Sequence, residues 1–253
     1  IGYNIFGFDY NFMYLRASEN SCAPDFMQIS RNNFTPTKMK ESSIVIASGQ
    51  HDLSFIEMPG RLQIDMYNYF RRDFNLSSYK LDNVAAEFLS DKISKIDYND
   101  ATNISKIYTK NMKGLENEGF VRFEIMDHSN SLYNNGEKFK VINMENEYFE
   151  INGNIEYDTK YKLKWSLAKD DVTPQDIFRL TNEGPEGRKI VAKYCIKDCE
   201  LVDDLLKKTD IMTGYIEMAK LTTVPISFLV YRGQGIKGLS YVAKNLINYC
   251  CIS

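Results

Sequence analysis

The chain has 253 residues, 43% of them hydrophobic and 13% aromatic, enough for one large domain or one and a half ordinary ones with a real core. Thirty-one basic residues against 34 acidic ones leave a net charge of −3, so no bulk basicity advertises a polyanion, and contact with one would rest on local patches or metal ions. Two histidines, His51 and His128, and five cysteines without a paired framework argue against a histidine triad, a zinc site or a disulfide scaffold, and for a reducing, intracellular setting.

In chain order, "IGYNIFGFDY" reads as the end of a buried strand near Asn4, followed by a helix over 7–18. Ile1 stands where an initiator methionine would and no signal peptide precedes it, so the chain is expected to be a fragment. The polar stretch to Ser43 reads as a loop. "SIVIASG" and "FIEMPGRLQIDMYNYFRR" read as short strands, the second running into a helix near Asp65. Ser78 is the expected N-cap of a helix carrying Leu81, Val84, Ala85 and Phe88 at helical spacing. From about 92 to 168, segments such as "GFVRFEIMD", "EKFKVINM" and "KYKLKWSL" alternate in period two between "NNGE" and "NGN" turns, a β-rich insertion. Thr173 and Pro174 open a helix, a long one covers 186–208, and another covers about 210–220. "VPISFLVYRGQGIKGLSYVAKNLINY" closes the chain. Cys195 and Cys199 lie four apart on the long helix, and Cys250 and Cys251 are adjacent. No apolar run reaches the roughly 18 residues of a membrane span.

The long helix carries an acid in an unexpected place. At 100° per residue, an apolar stripe runs from Ile190 at 0° through Leu201, Tyr194, Leu205, Val191 and Val202 to Cys195 at about 140°. Asp198 falls at about 80°, in its centre, with Tyr194 one turn before it. An inward carboxylate costs several kcal/mol unless compensated, so Asp198 either pairs with an arginine, caps a neighbouring helix, or holds a metal ion. Tyr194 is either a half-buried core aromatic or a phenol serving the carboxylate. Asp9, among Phe6, Phe8, Phe12 and Leu15, poses the same choice between a helix N-cap and a metal ligand, and Asn4 between turn chemistry and a site. Two such acids suggest a shared site, and hard oxygen ligands suit Mg²⁺ or Mn²⁺.

"YNIFGFDY" resembles the Exo II motif of family B DNA polymerases, an Asn followed after three residues by Phe-Asp, and "YCIKD" resembles Exo III, a Tyr followed after three residues by Asp. "RRDFNLSSYKLDNVAAEFL" is similar to the delta-type signature between them, and "MAKLTTVPISFLVYRGQGIKGLS" to the segment joining exonuclease to palm. "KWSLAKDDVTPQDIF" is similar to polymerases of giant double-stranded DNA viruses. The resemblance covers nearly the whole chain, least over 92–160.

It implies an α/β, ribonuclease-H-like exonuclease fold, a mixed sheet flanked by helices. The 3′–5′ exonuclease domain would span residues 1–220 without its first strands, and 221–253 would form a connector and the start of the palm. It implies two-metal hydrolysis of the 3′-terminal phosphodiester, with Asp9 and Asp198 as ligands of Mg²⁺ or Mn²⁺ and Tyr194 orienting the attacking water. Asn4 and Phe8 would position the primer end. In "YRGQGIKG", Arg232, Gly233 and Lys237 would approach the nucleic-acid backbone, against the plainer reading of a glycine-rich connection with incidental basic residues. The implied partners are primer-template DNA, a single-stranded 3′ end, and a sliding clamp or accessory subunits, in the nucleus or a viral replication compartment. The family's Asp-x-Glu pair should precede Exo II and does not occur before Asn4, so the chain alone is expected to hydrolyse almost nothing. A competing reading is a catalytically silent, exonuclease-like scaffold for DNA or partner subunits. A free-standing exonuclease fits poorly with the connector.

Overall fold

The computed structural model describes residues 1–32, 34–46, 49–126, 131–168 and 172–246, without the side chains of residues 44–46, 51 and 174. His128, Cys250 and Cys251 lie outside the described residues. The fold is α/β. Two compact units form, Ile1–Tyr79 with Asp210–Ser253, and Lys80–Thr209.

The first unit opens with a π-helical turn, Ile5–Asp9, closed by the Tyr10 N–H on the Ile5 carbonyl. It runs directly into α1 (Tyr10–Glu19), so the expected helix over 7–18 begins earlier and with a different hydrogen-bond pitch. A short helix, α2 (Ala23–Phe26), interrupts the expected loop. β1 (Lys38–Ile46) and β2 (Gly49–Glu57) form an antiparallel hairpin in register from Lys38 with Glu57 to Ile46 with Gly49. The strand thus starts five residues before Ser43, because pairing with β2 satisfies the backbone of a stretch whose polar composition reads as loop. α3 (Met66–Asp73) follows. α7 (Ile211–Thr222), α8 (Ile226–Tyr231) and α9 (Gln234–Leu246) return to the same unit. Its core joins Phe6, Leu53 and Phe55 to Tyr10 and Tyr231, with the Phe55 and Tyr231 rings stacked at 4.4 Å. Arg72 extends from α3 to the Leu229 carbonyl (2.8 Å) and the Tyr215 hydroxyl (3.3 Å), tying α3 to α7 and α8.

The second unit begins with α4 (Leu81–Phe88), whose N-cap position is Lys80 and not Ser78. Residues before it are already committed: the Tyr79 carbonyl accepts from the Tyr3 hydroxyl (2.5 Å), and the Tyr79 hydroxyl donates to the Phe74 carbonyl (2.9 Å). The helix can start only beyond them.

The β-rich insertion is more than a decoration. β3 (Ser90–Asn99), β4 (Ile104–Thr109), β5 (Phe120–Met126), β6 (Ser131–Leu132), β7 (Phe139–Met144), β8 (Tyr148–Asn152) and β9 (Lys162–Ala168) make one antiparallel sheet. The pairing runs β5–β7–β8–β4–β3–β9, and β9 pairs again with β5, so six strands close into a barrel with β6 appended to β5. Closure leaves those strands without a free edge. Alternation fills the interior with Ile107, Val121, Phe123, Phe149, Ile151, Leu163 and Trp165, each essentially inaccessible. The Trp165 indole N–H donates to Thr109 Oγ1 (3.0 Å), and the Thr109 hydroxyl donates to Asp91 Oδ2 (3.0 Å). A buried polar chain is thereby satisfied.

The mixed sheet implied by the resemblance is not among the described pairings. Both sheets are antiparallel; short connections join β1 to β2, β3 to β4 and β7 to β8, whereas β4–β8, β3–β9 and β5–β9 pair strands distant along the chain. The one parallel pairing described is a bridge between Gly2 and Asp65.

α5 (Pro174–Asn182) opens on Thr173 followed by Pro174, as the sequence predicts, and Thr173 also makes a reciprocal capping box with Asp176. α6 (Pro185–Thr209) buries Gly187, Leu201 and Leu205, but Ile190 is 48% exposed and Cys195 is exposed. The predicted apolar stripe therefore holds for the second half of α6 and fails for the first. There α5 packs close at Gly187, where an added Cβ would lie 2.1 Å from the Leu180 carbonyl oxygen.

Candidate functional site

The π-helical turn carries Phe8 and Asp9, with Asn4 at its N-cap. Asn4 is left-handed, φ 59° and ψ 27°, a conformation that non-glycine residues adopt at a cost but that asparagine tolerates best. π-Turns are rare and concentrate at functional sites. Gly7 leaves room for the asparagine side chain as it lies: a Cβ there would stand 2.3 Å from Asn4 Oδ1. Phe8 is 58% exposed and stacks on Phe12 at 5.5 Å, leaving an aromatic surface beside the turn.

Asp9 occupies the N-cap position of α1 but has helical dihedrals and makes no side-chain cap hydrogen bond. The capping alternative is thus removed. Burial pushes its carboxyl above the ordinary aspartate value, while its own backbone N–H pulls it down. Tyr10 is raised too, by burial first and then by Asp65 and Asp9.

A residue the sequence reading named only as a helix start organises this segment. Asp65, 3% exposed, accepts from the backbone N–H groups of Asn4 (2.7 Å), Phe6 (3.0 Å) and Tyr67 (3.0 Å) and from the Asn68 side chain (3.3 Å). Burial pushes its carboxyl up to about 6 despite those donors. The signal available was an acid closing the alternating run "RLQID", immediately before an aromatic helix.

In the second unit, α6 presents Tyr194 and Asp198 one turn apart, both half-buried. Tyr194 lines a cleft of about 590 Å³ with Ile190, Lys193, Lys197, Glu200 and the 115–120 loop. Lys197 Nζ anchors that loop through Glu116 at 3.0 Å. The motif residues therefore form two groups, Asn4, Phe8 and Asp9 in the first unit and Tyr194 and Asp198 in the second. Among the described residues, no three His, Cys, Asp or Glu side chains cluster as a metal site.

Arg232 and Gly233 line a groove of about 840 Å³ in the first unit, together with Lys40, Glu57, Arg61 and Gln63. Arg232 is exposed, with its guanidinium 4.4 Å from the Phe228 ring centre. A methyl at Gly233 would meet nothing within 4 Å, so the unit's own packing does not demand that glycine. Lys237, expected at the nucleic-acid backbone, is 8% exposed. Its place on α9 turns it inward, and burial, with Arg72 nearby, lowers its ammonium below the ordinary lysine value. That expectation is corrected.

Residues 1–84 match the family profile described as DNA polymerase family B, exonuclease domain. The chain is 45% identical over 256 residues to the DNA polymerase of Phaeocystis pouchetii virus, covering 96% of this chain and 24% of that protein. It is 34% identical over 244 residues to the DNA polymerase of Pyramimonas orientalis virus, covering 96% and 19%. It is 28% identical over 245 residues to the DNA polymerase delta catalytic subunit of Dictyostelium discoideum, covering 96% and 15%. The chain spans about a quarter or less of the length of these relatives. Among the described residues, no helix is long and apolar enough to cross a membrane. Residues 1–84 thus carry the exonuclease-domain sequence of family B DNA polymerases, and nearly the whole chain is similar to a segment of viral and delta-type DNA polymerases.

Proposed function

We propose that this chain supplies the proofreading 3′–5′ exonuclease part of a replicative DNA polymerase, with a ribonuclease-H-like exonuclease domain over residues 1–220, lacking its first strands and carrying the β-rich insertion of 92–168, and a connector toward the palm over 221–253. The observation that carries the reading is Asp9, a half-buried acid that caps no helix although it stands where a cap would. The parallel bridge of Gly2 with Asp65 supports the core assignment, since parallel pairing belongs to such a sheet.

Asp9 and Asp198 would each offer carboxylate oxygens, the ligand type that Mg²⁺ or Mn²⁺ prefers. Divalent ions, when bound, supply the positive charge that phosphodiester hydrolysis needs. Asn4 hydrogen-bonds the terminal nucleotide through its carboxamide, and exposed Phe8 packs against it. Tyr194 orients the attacking water through its hydroxyl. The water oxygen bonds to phosphorus, the bond from phosphorus to the 3′ oxygen breaks, and the released proton goes to that oxygen, giving a nucleoside 5′-monophosphate. Positioning suffices for this chemistry, which explains a site without histidine. The groove at Arg232 receives single-stranded DNA along its cations. The wider partners are primer-template DNA and a sliding clamp or accessory subunits, in a nucleus or a viral replication compartment.

The test is digestion of a 3′-mismatched primer by a polymerase carrying this segment, with Asp9→Ala and Asp198→Ala introduced separately. Each should lower the exonuclease rate by about 10²-fold or more, by analogy with losing one electrostatic stabiliser of a transition state, while leaving primer extension intact. Unchanged digestion in both variants would refute the assignment.

A further inference from the structure

An N-cap aspartate needs only one oxygen, accepting from one backbone N–H of its own helix. Asp65 does this for α3 through Tyr67, and its neighbouring Asn68 adds a side-chain donor. The same carboxylate also takes two donors from much earlier in the chain, Asn4 N–H at 2.7 Å on Oδ1 and Phe6 N–H at 3.0 Å on Oδ2. Those two groups belong to the start of the π-helical turn, whose first N–H groups have no partner within the turn itself. Asp65 thus closes two N-termini with one buried carboxylate, whose donors offset part of the cost of its burial. The left-handed Asn4 is held from below by its own N–H on Asp65 and from the side by the Gly2 bridge, where the Gly2 N–H donates to the Ile64 carbonyl (3.1 Å) and the Met66 N–H to the Gly2 carbonyl (2.9 Å).

We infer that Asp65 is a positioning residue, which fixes the backbone from which Asn4, Phe8 and Asp9 are presented. Its part in hydrolysis rests on the exonuclease reading above, whereas its hold on the turn does not.

Serine separates the two roles, because it can still cap α3 but lacks a second oxygen for the turn. Amide hydrogen exchange on the chain, followed residue by residue, should show Tyr67 protection within about threefold of wild type in Asp65→Ser, and Asn4 and Phe6 protection lower by about tenfold or more, the equivalent of one lost charge-assisted hydrogen bond. Asp65→Asn, which keeps shape and one accepting oxygen, serves as the second variant. In a polymerase carrying the segment, kcat for removing a 3′-mismatched nucleotide should fall about tenfold with KM within about threefold, as expected when geometry and not substrate binding is lost. Wild-type protection of Asn4 and Phe6 in Asp65→Ser would overturn the inference. So would equal loss at all three amides in both variants, since that marks a stability role alone. Loss of protection with unchanged kcat would overturn the positioning of the reaction. If the wild-type polymerase removes no mismatched nucleotide, the exonuclease reading falls, and the exchange pattern still decides whether Asp65 holds the turn.

Discussion

Gly7→Ala separates stability from function at the motif. The added methyl would lie 2.3 Å from Asn4 Oδ1 and 3.1 Å from Asn4 Cγ, so the asparagine side chain must turn away. The obstacle is the end of a short side chain and not backbone, so the turn itself can persist. Replacing a helical glycine by alanine also gains about 0.5–1 kcal/mol of unfolded-state entropy, which offsets most of the displacement. Net stability should therefore change by less than about 1 kcal/mol. If the Asn4 carboxamide contacts the terminal nucleotide, its displacement removes a hydrogen bond worth about 1–2 kcal/mol, a loss of roughly 5–30-fold in exonuclease kcat/KM. Urea unfolding of the chain measures the first quantity, and removal of a mismatched 3′ nucleotide by a polymerase carrying the segment measures the second. Full activity at unchanged stability would show that Asn4 is not where the reaction is held. Unfolding by more than about 2 kcal/mol would show that the turn cannot absorb the methyl.

Asp65 should give an unusual pH profile: with its carboxyl raised from 3.8 to about 6, the folded chain takes up a proton before the unfolded chain does, so its ionised form costs about 3 kcal/mol above pH 6 and that cost is relieved as pH falls toward 3.8. Wild type should gain about 2 kcal/mol relative to Asp65→Asn between pH 7 and 4.5 in urea titrations, and a flat difference would contradict the raised value. Gly187→Ala drives a methyl to 2.1 Å from the Leu180 carbonyl oxygen, a backbone atom that cannot step aside, and should cost about 3 kcal/mol in thermal or urea unfolding. A cost below about 1 kcal/mol would mean that α5 and α6 do not cross so closely. Trp165→Phe leaves Thr109 without its indole donor and opens a small void, for an expected loss of about 2–3 kcal/mol, read by circular dichroism because the chain has one tryptophan.

Local chemistry was readable where one residue decides one feature. Thr173 caps the helix that Thr173 and Pro174 announce, and the alternating segments of 92–168 are strands with alternating burial. What stayed hidden depends on partners far along the chain. Alternation cannot disclose that β9 returns to β5 and closes a barrel, because closure is a property of register among six strands. The polar stretch of β1 becomes strand only through β2. The wheel of α6 places Ile190 inward by angle, yet it stays 48% exposed at the edge of a cleft, since an apolar position is buried only as far as another element reaches it.

The same limit explains why the motif acids stand out in the sequence and the residue holding the turn that carries Asp9 does not. Asp9 and Asp198 stand out because each interrupts an apolar pattern, and a charge that breaks a pattern is visible in one dimension. Asp65 breaks nothing: it ends a strand-like run and starts a helix, where aspartate is ordinary. Its additional work appears only when the chain folds back and brings the Asn4 and Phe6 N–H groups, some sixty positions earlier, onto its two oxygens. Once that contact is seen, the left-handed asparagine, the glycine beneath its side chain and the π-helical pitch become parts of one arrangement. The carboxylate supplies acceptors that a π-turn lacks, Gly7 makes room for the carboxamide, and Asp9 is left with its oxygens uncommitted to the helix end it occupies. Asp9 caps nothing because the π-turn runs straight into α1, whose Tyr10 N–H already bonds the Ile5 carbonyl.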